Sequence, residues 1–120
     1  MATFVIADDS RAQRLWIRQV LTAEGHNVLG DAPDGKRAIA LCREHHPDFV
    51  TLDINMPEIP GSEAAKAIVS EQLAGHIIVF TLNSQEQIVD PLVALGCTVW
   101  KKPFSSKERF INLLEPLLTR

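Results

Sequence analysis

Phe4-Val5-Ile6-Ala7-Asp8-Asp9 is the stretch from which the rest of the chain can be read. Four apolar residues in a row, without the alternation of a half-exposed strand, mark a strand buried on both faces. The run stops abruptly on two aspartates. Ser10, with Gln13 three residues later, has the form of a capping box. Leu15, Trp16, Val20 and Leu21 then follow helical spacing up to Gly25, a C-terminal stop. A buried strand thus runs directly into a helix.

The same grammar recurs along the chain. Asn27 to Gly30 reads as a second strand, followed by turn chemistry at Pro33-Asp34-Gly35. Ala38, Ile39, Leu41 and Cys42 line a second helix that ends before Pro47. Phe49-Val50-Thr51-Leu52 is a third buried strand ending on Asp53. A loop with Pro57, Pro60 and Gly61 leads to a third helix begun by Ser62, with Ala65, Ile68 and Leu73 on its apolar face. Ile77 to Phe80 form a fourth strand ending at Thr81. Residues 84 to 95 read as helix interrupted by Pro91, and Asp90-Pro91 reads as an N-cap plus first helical position, so this helix is expected to start late or to kink. Cys97 to Trp100 form a short fifth strand before Lys101-Lys102-Pro103. Ser105 and Glu108 suggest another capping box, and Phe110, Ile111, Leu113, Leu114 and Leu117 line the last helix. Five strands alternating with five helices imply an α/β fold with a parallel sheet covered on both faces.

Composition narrows the function classes. The 120 residues suit one domain, spanning 1–120, and 46% of them are apolar, enough for a core without metal or disulfide staples. The net charge of −3 argues against nucleic acid as a direct partner. Cys42 and Cys97 form no disulfide framework and read as small buried hydrophobes in a reducing compartment. With no signal-like N-terminus and no apolar run of roughly 18 residues, a soluble cytoplasmic protein without membrane insertion is expected. His26, His45 and His46 read as solvated.

Ligands of such sheets sit beyond the carboxyl ends of the strands. Polar residues follow four of the five strands there: Asp8 and Asp9, Asp53, Thr81 and Lys102. Three close carboxylates repel; at about 4 Å and an effective dielectric of about 20, one pair costs roughly 4 kcal/mol. The cluster therefore calls for a cation, and all-oxygen ligation favours Mg²⁺, Mn²⁺ or Ca²⁺ over zinc. With a metal, a carboxylate can attack phosphorus while Lys and Thr hold the remaining phosphoryl oxygens.

Val5-Ile6-Ala7-Asp8-Asp9-Ser10, Leu52-Asp53-Ile54-Asn55-Met56-Pro57 with Gly61, Thr81, and Lys102-Pro103-Phe104 resemble the motifs of the response-regulator receiver family, single-domain CheY-like type. The order and spacing match across essentially the whole chain. The resemblance implies a flavodoxin-like sheet of order 2-1-3-4-5. It implies that Asp53 is the phosphoacceptor, that Asp9 ligates Mg²⁺ directly, that Asp8 supports the metal through water, and that the Asn55 carbonyl is a further ligand. Thr81 and Lys102 would contact the phosphoryl group, and Pro103 would follow a cis peptide. The side chains of Asn55 and Asn83 would tune self-dephosphorylation. A histidine kinase would be the phosphodonor, and a protein target would bind the face made by the fourth helix, fifth strand and fifth helix. Such a protein is a signalling phosphoacceptor rather than an enzyme, although it promotes its own phosphorylation and dephosphorylation.

Three residues depart from the pattern. Val99 stands three positions before Lys102, where the family commonly has an aromatic rotor, and strand alternation turns Trp100 to the opposite face. Leu82 replaces the usual small residue after Thr81, where it either narrows access to Asp53 or packs on a neighbouring loop. Pro91 falls inside the fourth helix. No output domain is expected beyond these residues, so output is expected through a bound protein, as in chemotaxis, or through a phosphorelay to a histidine phosphotransfer protein. A metal-dependent small-molecule phosphatase is the alternative from another class. It is disfavoured because Asn55, not Asp, lies two residues after Asp53. A flavin-binding protein is disfavoured because Asp8-Asp9 would repel the flavin phosphate.

Overall fold

The structure, a computed structural model, describes residues 1–82, 86–102 and 106–118. Strands and helices alternate throughout: β1 (Thr3–Ala7), α1 (Arg11–Ala23), β2 (Asn27–Ala32), α2 (Gly35–His45), β3 (Phe49–Asp53), α3 (Gly61–Glu71), β4 (His76–Thr81), α4 (Glu86–Ala94), β5 (Thr98–Lys101) and α5 (Lys107–Leu118). The strands form one parallel sheet of order β2-β1-β3-β4-β5, the order the resemblance implied. β3 lies at its centre, and all five of its residues are buried.

Strand alternation divides the interior into two cores. Val5, Ala7, Val50, Leu52, Ile77 and Val79 face α2, α3 and α4, packing with residues such as Ala38, Cys42, Ala64, Ile68 and Leu92. Phe4, Ile6, Phe49, Ile78, Phe80 and Trp100 face α1 and α5, packing with Ile17, Leu21, Phe110 and Leu114. The second core is rich in aromatic rings. Trp100 stacks on Phe80 at 5.8 Å and meets Phe110 edge-on at 5.4 Å, while Trp16 meets Phe110 edge-on at 5.7 Å. Offset and edge-on arrangements of this kind suit the ring quadrupoles. Val99 sits beside the other core, so adjacent residues of β5 do face opposite ways.

The caps follow their sequence signals in part. Ser10 Oγ accepts from the Gln13 N–H at 3.2 Å, and Asp34 Oδ1 accepts from the Arg37 N–H at 2.8 Å. The third helix begins at Gly61, not Ser62, with Pro60 at the cap and no side-chain capping bond. Close approach explains this: a Cβ on Gly61 would lie 2.2 Å from the Asp53 carbonyl oxygen, so glycine lets the helix end abut β3. Leu73 is buried but lies beyond the end of α3. β2 runs two residues past Gly30, because Ala32 pairs with Ala7 and its carbonyl accepts from the Asp8 N–H. β5 is shifted by one residue, leaving Cys97 before it. The last helix is capped by Ser106, whose Oγ accepts from the Arg109 N–H at 3.2 Å. Ser105, the expected capping residue, lies outside the described residues.

Asp90-Pro91 does not start α4. The helix is already formed at Glu86, and Pro91 is inside it. Pro91 forfeits its own N–H bond. Its carbonyl still accepts from the Leu95 N–H at 3.2 Å, and the following Leu92 is buried in the core. Tertiary packing of a short helix outweighs the local preference. His26 is half-buried rather than solvated. Its Nδ1 accepts from the Ala2 N–H at 3.1 Å, its ring packs against Phe4, and burial lowers its pKa. Both cysteines are buried, as their apolar neighbours suggested, and burial pushes the Cys42 thiol up to about 12.

Thr51 is the odd residue of β3. It is fully buried between its register partners Ile6 and Ile78, and its hydroxyl has no hydrogen-bond partner among the described residues. An orphaned buried hydroxyl costs more than the methyl group that would replace it. Thr51→Val is therefore expected to raise stability by about 1 kcal/mol, read as a higher urea midpoint with an unchanged slope.

Candidate functional site

The carboxyl ends of β1, β3, β4 and β5 bring the polar residues to one rim. Asp8 follows β1, Asp53 ends β3, Thr81 ends β4 and Lys102 follows β5. Asp8, Asp53 and Thr81 are buried, and buried carboxylates need partners, whereas Asp9 is exposed. Carboxylate oxygens of Asp8, Asp9 and Asp53 lie within 4.8 Å of one another.

Among the described residues, one side-chain cation contacts these carboxylates. Lys102 Nζ donates to Asp8 Oδ2 at 2.9 Å and lies 3.6 Å from Asp53 Oδ2. Its backbone N–H donates to the Thr81 carbonyl at 2.8 Å, which ties the ends of β4 and β5 together. Asp53 Oδ1 accepts from the Asn55 N–H at 3.3 Å. The Ile54 N–H donates to the Phe80 carbonyl and the Gly61 N–H to the Ile54 carbonyl, so the loop after Asp53 is pinned on both sides.

Lys102 offsets only one of three negative charges, and Asp53 bears the consequence. Its pKa rises from 3.8 to about 6. Burial is the largest cause and the nearby Asp8 carboxylate the next; Lys102 and the Asn55 N–H pull it back down. The cluster is all oxygen, poorly solvated and under-neutralised. That is the donor chemistry hard divalent cations take.

Most of the expected site residues therefore converge: Asp8, Asp9, Asp53 and Lys102 directly, with Asn55 and Thr81 adjoining. Asn83, Pro103 and Phe104 lie outside the described residues. Beside the rim opens a cleft of about 450 Å³ lined by Ile54, Asn55, Thr81, Leu82, Ile88 and Pro91 among others. Leu82 is 64% exposed, so it borders this opening instead of packing away on a neighbouring loop. Sequence reasoning overlooked Arg14, whose Nη1 donates to the Asp8 carbonyl at 2.7 Å. The only trace of it along the chain is Arg14 and Arg18 four residues apart on one helix face.

Residues 4–114 match the family model of the response regulator receiver domain. The chain belongs to that family. Receiver domains of two-component systems are signalling phosphoacceptors. Among similar proteins is the chemotaxis protein CheY of Bacillus subtilis, 33% identical over 103 residues, covering 85% of this chain and 86% of that one. The transcriptional regulatory protein PdtaR of Mycobacterium tuberculosis is 36% identical over 102 residues, covering 84% of this chain but 49% of PdtaR. The chain thus spans about half the length of that relative. Among solved structures, CheY in the CheX-CheY-BeF3-Mg complex of Borrelia burgdorferi superposes with a TM-score of 0.90 at 27% identity, covering 98% of this chain and 90% of that one. CheY4 of Vibrio cholerae superposes with a TM-score of 0.87 at 28% identity, covering 97% and 98%. Among the described residues of this receiver domain, no helix is long and apolar enough to cross a membrane.

The raised pKa of Asp53 has a definite sign in stability. The folded receiver holds this proton more tightly than the unfolded chain does. Between the two pKa values the native state therefore binds more protons, and stability falls as pH rises. Without divalent cations, this contribution is expected to be lost progressively between pH 3.8 and about 6. Asp53→Asn should remove that component and leave the protein about 1–2 kcal/mol more stable than wild type at pH 7. Urea titrations of both proteins in EDTA at several pH values measure the difference.

Proposed function

We propose that residues 1–120 act as one receiver domain in the cytoplasm, accepting a phosphoryl group on Asp53 from a histidine kinase. The observation that carries this reading is the convergence on Asp53 of two further carboxylates within 4.8 Å and the Lys102 ammonium at 3.6 Å. With a pKa of about 6, Asp53 is largely ionised at neutral pH and has a lone pair to donate. Its oxygen forms the new P–O bond as the P–N bond of the kinase phosphohistidine breaks. The electron pair of that bond goes to the imidazole nitrogen, which takes a proton from solvent.

The residues at the rim divide the remaining work. Asp8, Asp9, Asp53 and the Asn55 carbonyl would hold Mg²⁺. When bound, the ion neutralises charge on the carboxylates and on the transferring phosphoryl oxygens. Lys102, already poised between Asp8 and Asp53, would bind one phosphoryl oxygen, and Thr81 another. The phosphoryl group adds about −1.5 to −2 charges and three acceptor oxygens, so Lys102 and Thr81 gain a new partner and the strand ends that carry them are biased toward a second arrangement. We assign output to protein binding at the face of α4, β5 and α5. On that face Val99 stands where the family commonly has an aromatic residue, so transmission there does not use the usual rotor.

Incubation with Mg²⁺ and acetyl phosphate is expected to add one hydroxylamine-labile phosphoryl group, seen by intact-protein mass spectrometry. Asp53→Asn should abolish it, and undiminished labelling of that variant would refute Asp53 as the nucleophile. Leu82 borders the opening beside the acceptor, so Leu82→Ala is expected to speed labelling severalfold. A rate equal to or below that of wild type would show that Leu82 does not restrict access.

A further inference from the structure

Asp8 is held at each of its polar groups. Its N–H donates to the Ala32 carbonyl at 3.0 Å. Oδ1 accepts from the Ser10 N–H at 2.9 Å, and Oδ2 from Lys102 at 2.9 Å. Its carbonyl accepts from Arg14 Nη1 at 2.7 Å. Asp9 differs. Its side chain is exposed, and among the described residues its carboxylate makes no hydrogen bond or ion pair. The positions that carboxylate can reach are therefore set by the backbone that carries it. The Asp8 carbonyl belongs to the peptide joining Asp8 to Asp9, so the Arg14 contact grips the plane on which Asp9 is mounted.

Arg14 is itself held from outside the cluster. Its Nε lies 3.3 Å from Asp31 Oδ1, and Arg18 Nη2 pairs with Asp31 Oδ2 at 2.8 Å. Asp31 belongs to β2 and adjoins Ala32, the residue that accepts from the Asp8 N–H. The contacts form a ring: β1 to β2 through Asp8 and Ala32, β2 to α1 through Asp31 and Arg14, and α1 back to β1 through the Asp8 carbonyl. Arg14 is largely buried, its side chain 15% exposed, whereas Arg18 is 38% exposed and touches only the Asp31 side of the ring.

We propose that Arg14, anchored by Asp31, is a positioning residue that sets the Asp8-Asp9 peptide and so pre-organises the divalent-cation site. The inference rests on the reading of Asp8, Asp9 and Asp53 as that site. It makes a prediction opposite in sign to simple electrostatics. Arg14 is a cation next to an acidic cluster, so charge alone says that removing it should tighten Mg²⁺ binding. Positioning says that binding should weaken, as when the partners that orient metal ligands are removed.

The test is calorimetric titration of Mg²⁺ into wild type, Arg14→Ala, Arg14→Lys, Arg18→Ala and Asp31→Asn, with a melting curve of each without metal. Arg14→Ala is expected to bind Mg²⁺ about tenfold more weakly. Arg14→Lys should recover part of the loss, since one ammonium can reach the carbonyl or Asp31 but not match the planar fork. Asp31→Asn should fall between wild type and Arg14→Ala, and Arg18→Ala should bind as wild type does even where its melting temperature drops. If wild type binds Mg²⁺ and Arg14→Ala binds it equally or more tightly, the positioning role is overturned. Equal weakening in Arg14→Ala and Arg18→Ala would overturn it too, as general loosening. Failure of wild type to bind Mg²⁺ overturns the metal site itself and this inference with it.

Discussion

The contact on which the rest of the site depends is the Lys102 ammonium set between the carboxylates of Asp8 and Asp53. Two carboxylates at the ends of neighbouring strands, both nearly shut off from water, repel strongly. A single ammonium between them makes their burial tolerable without cancelling the charge. What remains is a group of oxygens still short of cations and a central aspartate whose proton is held unusually well. Such a cluster is short of positive charge, the condition under which oxygen donors take up hard cations. Sites that perform chemistry commonly carry a local destabilisation that the surrounding fold supports.

The support comes from how the strand ends are joined. The Lys102 N–H to the Thr81 carbonyl, the Ile54 N–H to the Phe80 carbonyl and the Asp8 N–H to the Ala32 carbonyl carry the sheet's hydrogen bonding one step past the regular strands. Each bond reaches a residue at or beside the site. Gly61 lets α3 press against the backbone of Asp53, and Arg14 grips the backbone of Asp8. The side chains of the site are thus mounted on backbone that is held by hydrogen bonds and close packing at each strand end.

The two faces of the sheet are packed differently. On the α1 and α5 side, Phe80, Trp100, Phe110 and Trp16 form a connected set of rings running from the residue before Thr81 to the first helix. On the α4 side, Val99 is small and half-buried, and Leu82 is exposed beside an open cleft. The aromatic mass of β5 is therefore concentrated on the face opposite to Val99.

Much of this was legible along the chain. Uninterrupted apolar runs announced strands buried on both faces, and their ends announced Asp8, Asp9, Asp53, Thr81 and Lys102, because periodicity and the point where it stops are local properties. The opposed directions of Val99 and Trp100 followed from alternation alone. Local signals failed where packing competed with them: Asp90-Pro91 looked like a helix start, yet burial of Leu92 keeps Pro91 inside α4. They were silent where partners are far apart. Asp8 and Lys102 are separated by 94 positions, and nothing in either stretch says that one ammonium serves two carboxylates. The raised pKa of Asp53 and the grip of Arg14 on the Asp8-Asp9 peptide belong to the same class. By itself the sequence determined which residues reach the rim. The tertiary structure decided their distances, burial and charge balance, because these depend on which strand ends the sheet order sets side by side.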